Sequence, residues 1–498
     1  MTWIPVTCSS RLDRTAGNSL LKPTDYQSSA GEVLVIGGGA AALSAAIAAR
    51  RTGAKVRLLE QAEPGLRGGN TRHSRNARFM HEAPSPLAAG PYPAAELAAD
   101  LHRATAASTA PALAAPLAAQ LIQASEALPD WLQSVGVALQ PAGDGRLPVS
   151  RKTLFFLGGG KALLNALYQC AEAEGVRIQY RQEVLGVQLD GTRVGTVAVR
   201  SAEGTTSLRP GAVIACCGAA QANRRWLRAQ LGAAADGLIN RGTPNAQGAV
   251  MLSLLEQGTL AVGDPRRLYL VAVDARSPAD DGGIVTRVRG MPAGIVVDAD
   301  ARRVHDEGAE TGSTRYSAWG QRLAEQPGQI GWLLLDAEGE QMAPAGIYPP
   351  VRAASPEALA AQLGLDPNRL AATIAGYNAA TRSPAAGGET AGAETAGWHT
   401  VGLSPPKSAH ARPLCTPPFA AYPMRPGITF SQYGLAVDPQ LRVLLQDQRP
   451  IENLFAAGMI MAANLIGTGY LSGLALTIGL VFGRLAGERA AQTVNSGA

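Results

Sequence analysis

Residues 32–60 combine two short apolar segments with a glycine-rich turn and an alanine-rich stretch between them. The first segment, Glu32–Ile36, predicts a strand, Ala40–Thr52 predicts a helix, and Lys55–Glu60 predicts a second strand. A strand, a tight turn, a helix and a strand in this order form a βαβ unit with two parallel strands. The sequence therefore predicts an α/β fold with a Rossmann-like nucleotide-binding domain.

The turn of this unit has the sequence GGGAAA, which begins at Gly37 and fits the pattern G-x-G-x-x-G/A. In this pattern Gly37 permits the tight turn, Gly39 lets the backbone approach a pyrophosphate, and Ala42 lets the helix pack against the strand. The helix N-terminus, with Ala41, offers N–H groups and a partial positive charge to phosphates. Glu60 ends the second strand, where a carboxylate accepts hydrogen bonds from ribose hydroxyls. The combination predicts an adenine dinucleotide site and leaves FAD and NAD as alternatives.

The segment just beyond the second strand, RGGNTRH at Arg67–His73, extends this predicted site. Gly69, Asn70 and Thr71 combine small residues with side-chain donors, which suits close contact with diphosphate and ribityl groups. The six histidines of the chain, His73 among them, are each expected to be structural or solvent-exposed rather than catalytic.

The rest of the chain predicts further elements of both types. Strands are predicted at Val176–Tyr180, Glu183–Val187, Thr196–Arg200, Thr205–Leu208, Gly211–Cys216 and Asn453–Ala457. Helices are predicted over much of residues 85–150, over Lys161–Gly175, and from Ser472 to about Ala491. Glycines follow two of the buried strands, at Gly218 and Gly458, and are predicted to contact the cofactor.

Changes in composition along the chain predict a split domain. Residues 1–30 are expected to be a flexible extension, and residues 31–265 and 408–492 the two parts of an FAD-binding domain. An α+β capping domain that binds substrate is expected between them, at residues 266–407, with a low-complexity loop at 384–397.

Composition excludes several classes of function. The net charge is +5, but the basic residues are scattered, so no nucleic-acid partner is expected. The five cysteines form no C-x-x-C pair, which argues against zinc and iron–sulfur sites, and no metal is expected. No secretory signal is recognised, and glycines interrupt the uncharged run Asn453–Gly483, which is interpreted as buried rather than transmembrane. A cytoplasmic protein is therefore expected.

Several segments in order along the chain resemble one known family. VLVIGGGAAALSAAIAA, LLEQAEPGLRGGNTRH, AVIACCG and NLFAAG, together with GYLSGLALTIGLVFGRLAG, are similar to the FAD-dependent fumarate reductase/succinate dehydrogenase flavoproteins. The resemblance covers about residues 32–490 and, within the family, is closest to the tricarballylate dehydrogenases.

This resemblance implies that the cofactor is FAD. Membrane-bound members carry the flavin on a histidine, but Asn70 stands at that place, so non-covalent FAD is expected. The resemblance also implies that backbone amides at Ser472 and Leu474 contact the N1/O2 edge of the flavin, and that the backbone of Val184 contacts adenine. A helix N-terminus there stabilises the negative charge of the reduced flavin.

The family's chemistry oxidises a C–C single bond, which requires a base for a proton and a flavin for a hydride. The resemblance assigns proton exchange to Arg315 and a proton-relay role to Arg289, although the relay glutamate of the family is absent here. Arg425 is a candidate contact for a substrate carboxylate, and Tyr470 stands where fumarate reductases carry a substrate-binding arginine.

The function expected from the resemblance is oxidation of a small polycarboxylate, tricarballylate to cis-aconitate, with a separate electron-transfer partner. Two alternatives stay open. One is a flavin-dependent reductase or desaturase of another substrate, such as a fumarate-like enoate, a ketosteroid or a corrinoid precursor. The other is an FAD-binding protein without activity, because Met459 stands where the family has a flavin-contacting glutamate.

Overall fold

The computed structural model describes residues 26–105, 111–142, 150–309, 315–383, 397–467 and 469–496. The predicted extension up to residue 25 and residues 384–396 of the low-complexity loop lie outside these residues, as does the side chain of Arg315.

The strands, in chain order, are β1 (Tyr26–Ile36), β2 (Lys55–Leu59), β3 (Asn76–Arg78), β4 (Thr153–Phe155), β5 (Arg177–Gln179), β6 (Glu183–Asp190), β7 (Arg193–Ser201), β8 (Gly204–Ala215), β9 (Ile239–Asn240), β10 (Ala261–Asp274), β11 (Ile295–Val297), β12 (Gly331–Leu335), β13 (Val351–Ala353), β14 (Thr381–Arg382), β15 (His399–Thr400), β16 (Phe419–Leu435), β17 (Arg442–Leu444) and β18 (Pro450–Ala456). The α-helices are α1 (Ala40–Arg51), α2 (Ala94–Thr105), α3 (Pro111–Ser125), α4 (Leu128–Ser134), α5 (Gly159–Ala173), α6 (Arg224–Leu231), α7 (Ala249–Glu256), α8 (Arg315–Ala324), α9 (Ala337–Met342), α10 (Pro356–Leu363), α11 (Pro367–Ala380) and α12 (Leu474–Ser496).

The first sheet has the order β17-β18-β8-β1-β2-β5, with the hairpin β6–β7 joined to it through β8. Strand β1 lies parallel to β2, with Val35 opposite Leu58, and parallel to β8, with Val35 opposite Ile214. These strands are buried on both faces, as expected of a parallel sheet covered by helices. The predicted βαβ unit and α/β fold class are confirmed.

Strand β8 differs from its prediction, because the two strands predicted at Thr205–Leu208 and Gly211–Cys216 form one continuous strand. Pro210, which lacks an N–H, lies inside β8 opposite Ser29, next to a bulge in β1 between Ser29 and Val33. The bulge lets pairing continue past the proline. The same pairing extends β1 back to Tyr26, inside the predicted flexible extension.

The second sheet has the order β10-β16-β12-β11, and β9 and β13 also pair with β16. Strand β10 crosses the predicted boundary at residue 265, and β16 belongs to this sheet although it follows the predicted boundary at residue 408. The domain boundaries as drawn from the sequence stay a prediction.

Helices α1 and α12 cross at close range beside the first sheet. Gly479, Gly483 and Gly487 are spaced four residues apart on α12 and face α1. A Cβ atom at Gly483 would collide with the carbonyl oxygen of Ala41, and one at Gly487 with that of Ala45. The absence of side chains at these positions is therefore what allows α12 to hold the first turn of α1 in place.

We expect Gly487→Ala to lower the free energy of unfolding by about 1–3 kcal/mol, since overpacking outweighs the roughly 1 kcal/mol gain in helix propensity. Gly376 in α11 is exposed, and a Cβ there would meet no atom within 4 Å. Gly376→Ala is therefore the matched control and should stabilise the protein by roughly 0.5–1 kcal/mol. Urea unfolding of the two variants measures both effects, and stabilisation by Gly487→Ala would contradict the close crossing.

Candidate functional site: a cleft at the strand ends

The carboxyl ends of β1, β2, β8 and β18 lie at one edge of the first sheet, because these strands are parallel and in register. Gly37 follows β1 there with φ at +111°, and a Cβ atom on it would lie 2.7 Å from the carbonyl oxygen of Cys216. Only glycine fits both the conformation and the space. The chain therefore turns sharply into α1 and leaves the edge of the sheet open.

Helix α1 points its N-terminus into this opening. Its N-cap residue, Gly39, has no side-chain cap, and the first turn carries no acidic residue. The hydroxyl of Thr71 accepts a hydrogen bond from the N–H of Ala40 at 3.0 Å. The other N–H groups of the first turn have no acceptor within the helix itself, so this end of α1 suits an anion.

Glu60 follows β2 and is 6% exposed. Its two carboxylate oxygens accept hydrogen bonds from the backbone N–H groups of Ala62 at 2.9 Å and Gly68 at 3.0 Å. Burial raises the pKa of Glu60, and these hydrogen bonds lessen the rise. A carboxylate has about four acceptor positions, so a fixed acceptor for hydroxyl groups remains at the cleft.

Asn70 lies in the short turn Gly69–His73 and bridges distant parts of the chain. Its Nδ2 donates to the carbonyl of Thr429 in β16 at 3.0 Å, and its Oδ1 accepts from the N–H of Thr243 at 2.8 Å. The side-chain amide is therefore used to hold the turn against the second sheet.

The opposite wall of the cleft comes from the end of the chain. Helix α12 begins at Leu474, two residues later than predicted, so Ser472 and Gly473 form a turn before it. Gly473 has φ at +84°, and a Cβ there would lie 2.9 Å from the amide nitrogen of Arg78. Arg78 donates to the carbonyl of Ser472 at 3.2 Å, which fixes this turn from behind.

These walls enclose a cleft with a volume of about 300 Å³, at the lower end of the roughly 300–1,000 Å³ of typical small-ligand pockets. The predicted site residues that line it are Gly37, Gly39, Ala41, Glu60, Gly69, Asn70, Thr71, Val184, Gly218, Gly458, Tyr470 and Ser472. Ala42 and Leu474 are fully buried beside it and are not lining residues.

The predicted catalytic arginines are not gathered at the cleft. Arg289 lines a smaller neighbouring cavity, which shares Arg287 with the cleft. Arg425 is not a lining residue, and its guanidinium donates to the carbonyl of Gly328 at 3.1 Å. The side chain of Arg315 lies outside the described residues, and the described helix α8 begins at this position.

Three arginines that no sequence motif marked as substrate contacts line the cleft instead: Arg75, Arg241 and Arg287. Arg241 is 7% exposed and donates to the hydroxyl of Thr429 at 2.6 Å. Arg287 donates to the carbonyl of Ile284 at 3.1 Å. No local sequence pattern marks Arg241 as a residue of this cleft.

Three aromatic rings form a wall in the same part of the cleft. Tyr269 and Phe430 stack with centroids 5.0 Å apart, and Tyr470 lies 4.4 Å from Tyr269. Tyr269 and Phe430 were not predicted. They meet because β10 pairs with β16, and a bulge at Thr429 in β16 changes which side chains face the cleft.

Comparison with known proteins identifies the family. The family model described as FAD binding domain matches residues 32–476. The chain belongs to the FAD binding domain family. The chain is 25% identical over 473 residues to the probable fumarate reductase Ifc3 of Shewanella frigidimarina (strain NCIMB 400), covering 93% of this chain and 75% of that protein.

Two solved structures have a fold similar to that of this chain. The open conformation of a flavocytochrome c3 fumarate reductase matches with a TM-score of 0.71 and 21% identity, covering 95% of this chain and 79% of that one. The 3-ketosteroid-Δ4-(5α)-dehydrogenase of Rhodococcus jostii RHA1, in complex with 4-androstene-3,17-dione, matches with a TM-score of 0.68 and 21% identity, covering 94% and 98%.

The residues of this cleft fit the cofactor of the family. The open N-terminus of α1 suits the diphosphate, the Glu60 carboxylate suits a ribose, and the side-chain-free turns leave room for close backbone contact. This flavoprotein is thus an FAD-dependent oxidoreductase that acts on CH–CH groups. Among the described helices, none has the length and apolarity needed to cross a bilayer.

We expect Glu60→Ala to weaken FAD binding by about tenfold to a hundredfold, since a charge-assisted hydrogen bond contributes roughly 1.5–3 kcal/mol. Fluorescence titration of the flavin-free protein measures the affinity, and circular dichroism checks that the variant is folded. Glu63 pairs with Arg181 at the surface and provides the control Glu63→Ala. Equal affinities of the two variants would contradict the role of Glu60.

Proposed function

We propose that this flavoprotein is a dehydrogenase that oxidises a C–C bond of a small polycarboxylate, tricarballylate to cis-aconitate. The observation that carries the proposal is the pair Arg241 and Arg287, which line the same cleft as the FAD-binding turns. A planar guanidinium binds a carboxylate through two parallel hydrogen bonds. The relative named as a probable fumarate reductase supports a carboxylate substrate.

Arg241 is held ready for this role. One nitrogen donates to Thr429 Oγ1 at 2.6 Å, and Nε lies 3.4 Å from the carbonyl oxygen of Gly283. These contacts fix the plane of the guanidinium before substrate arrives, so less conformational entropy is lost on binding. Burial of Arg241 also strengthens its attraction for a carboxylate, because water screens it less.

The remaining roles follow the resemblance and are part of the same proposal. When bound, FAD supplies the acceptor for a hydride. We propose that the α1 N-terminus binds the diphosphate, that Glu60 binds a ribose, and that the backbone of Val184 contacts adenine. Ser472 and the N-terminus of α12 are proposed to stabilise the flavin edge. The resemblance assigns proton exchange to Arg315, and Tyr470, which lines the cleft, is a further proposed contact, whereas the roles of Arg289 and Arg425 stay predictions.

A second candidate is reduction or desaturation of a substrate with a flat hydrocarbon face. The wall of Tyr269, Phe430 and Tyr470 favours it, because aromatic faces bind planar apolar groups. A larger enoate or a fused-ring substrate such as a ketosteroid or a corrinoid precursor would use this wall. A separate electron-transfer partner is proposed for either reaction, and location in the cytoplasm stays a prediction.

Anaerobic addition of tricarballylate should bleach the visible absorbance of the oxidised flavin, because the hydride reduces it. Tricarballylate, succinate and a ketosteroid, tested in parallel, distinguish the two candidates. Bleaching by the ketosteroid alone would favour the second candidate. An unchanged spectrum with every dehydrogenation substrate, and no reoxidation of the reduced flavin by any alkene, would contradict both.

Arg241→Gln should raise the dissociation constant of a bound carboxylate by about tenfold to a hundredfold, from the loss of a charged hydrogen bond worth roughly 1.5–3 kcal/mol. Perturbation of the flavin spectrum on titration with the carboxylate measures it. Arg193, which pairs with Glu452 at the surface, provides the control Arg193→Gln. An unchanged dissociation constant in Arg241→Gln would remove Arg241 from the substrate site.

We propose that FAD is bound without a covalent bond. Both polar atoms of the Asn70 amide are engaged in hydrogen bonds, and an amide is not a nucleophile at neutral pH. Acid precipitation should release all flavin into the supernatant. A yellow pellet that turns colourless in a His73→Gln variant would instead indicate attachment through His73.

A further inference from the structure

Three titratable side chains meet where the turn Gly69–His73 touches the loop that follows β10. Two nitrogen–oxygen contacts join Arg72 to the carboxylate of Asp281, at 2.8 and 2.7 Å. Nε2 of His73 lies 2.6 Å from Oδ1 of Asp281. The histidine was expected to be structural, yet it lines the cleft together with Arg241 and Arg287.

The contact with Asp281 determines the tautomer of His73. Burial raises the pKa of Asp281, but hydrogen bonds from His73 and Arg72 outweigh it and hold the pKa below its ordinary value. An ionised carboxylate only accepts hydrogen bonds, so Nε2 of His73 must carry the hydrogen. Nδ1 of the neutral ring then carries a lone pair.

Gly283 packs closely against the ring of His73, and its missing side chain makes room for the imidazole. A Cβ atom at Gly283 would collide with Nδ1 of His73, and both residues line the cleft. Among the residues that the structure describes, Nδ1 has no hydrogen-bond partner, whereas Nε2 is held by Asp281. A neutral imidazole at a cleft, with one nitrogen anchored by a carboxylate and the other without a hydrogen-bond partner among the described residues, is the arrangement of a general base.

Burial and the neighbouring arginines keep His73 neutral. Burial lowers the pKa of His73, and this outweighs the opposite effect of Asp281, while Arg72 and the buried Arg241 lower the pKa further. The ring is therefore unprotonated at neutral pH and can accept a proton there.

We propose that His73, anchored by Asp281, is the catalytic base that takes a proton from the substrate carbon. This inference rests on the proposed function and names the base for it. The C–H bond breaks, the proton goes to Nδ1, and the electron pair forms the new C=C bond. Bound FAD would supply the acceptor for a hydride from the neighbouring carbon, so the substrate would lose two electrons, and Asp281 would stabilise the imidazolium.

In this proposal His73 replaces Arg315 as the proton acceptor. Arg315 is then left as a cation that binds a substrate carboxylate. An arginine has a pKa above about 12, so almost none is neutral at pH 7. His73 needs no such deprotonation, because it is already neutral at that pH.

The tautomer is tested without turnover, by ¹⁵N NMR of the holoenzyme labelled at histidine. We expect one ring to show a protonated Nε2 and an unprotonated Nδ1 and to titrate below 6.5, its ordinary value. Its resonance is assigned from its loss in His73→Gln. A protonated Nδ1 at neutral pH, or titration above 6.5, would overturn the inference whether or not a substrate is known.

The role of His73 in catalysis is tested by the rate of flavin reduction, measured in stopped flow from about pH 5 to about pH 9. The wild-type rate should fall as pH decreases through the pKa of His73. His73→Gln should lose about 10²–10⁴-fold in rate and lose this pH dependence, and imidazole should partly restore His73→Ala. Asp281→Asn should lower the rate and shift the fall to lower pH. His399→Gln, at an exposed histidine, is the control.

The outcomes separate this inference from the proposed function. A wild-type flavin that no substrate reduces refutes the proposed function and, with it, His73 as the base of that reaction. A reducible flavin with equal rates and pH profiles in wild type and His73→Gln refutes the inference alone. Loss of flavin reduction in Arg315→Gln, with His73→Gln fully active, would identify Arg315 and not His73 as the residue that accepts the proton.

Discussion

The parallel register of β18, β8, β1 and β2 is the constraint on which the cleft depends. It brings the ends of these strands to one edge, where the chain can leave the sheet only through the turn at Gly37. The narrow gap between Gly37 and the carbonyl of Cys216 and the close crossing of α1 with α12 hold that turn rigid. The N-terminus of α1 is therefore aimed before any ligand binds.

Charge is distributed unevenly within the cleft. One end holds the buried carboxylate of Glu60 beside the α1 N-terminus, and the other holds Arg241 and Arg287 beside an aromatic wall. The first end suits hydroxyl and phosphate groups of a dinucleotide, whereas the second suits an anionic or planar substrate. A single cleft can in this way hold a cofactor and a substrate side by side.

The site is assembled from both sheets through the turn Gly69–His73. Asn70 joins this turn to Thr243 and Thr429, and Asp281 joins it to the loop after β10. These contacts are directional and link residues far apart in sequence, so the turn stays in place only while the two sheets remain packed. The proposed cofactor contacts and the proposed substrate contacts are coupled by this geometry.

The sequence alone determined the βαβ unit, the turn at Gly37, and Glu60, because these depend on spacing within about thirty residues of one crossover. It did not reveal Arg241, Tyr269 and Phe430, nor the pairing of His73 with Asp281. Those positions depend on the pairing of β9 and β10 with β16. They also depend on the bulge at Thr429, which changes the alternation of side chains along β16 after Arg425. Long-range pairing and register decide which side chains face the cleft, and no local pattern encodes them.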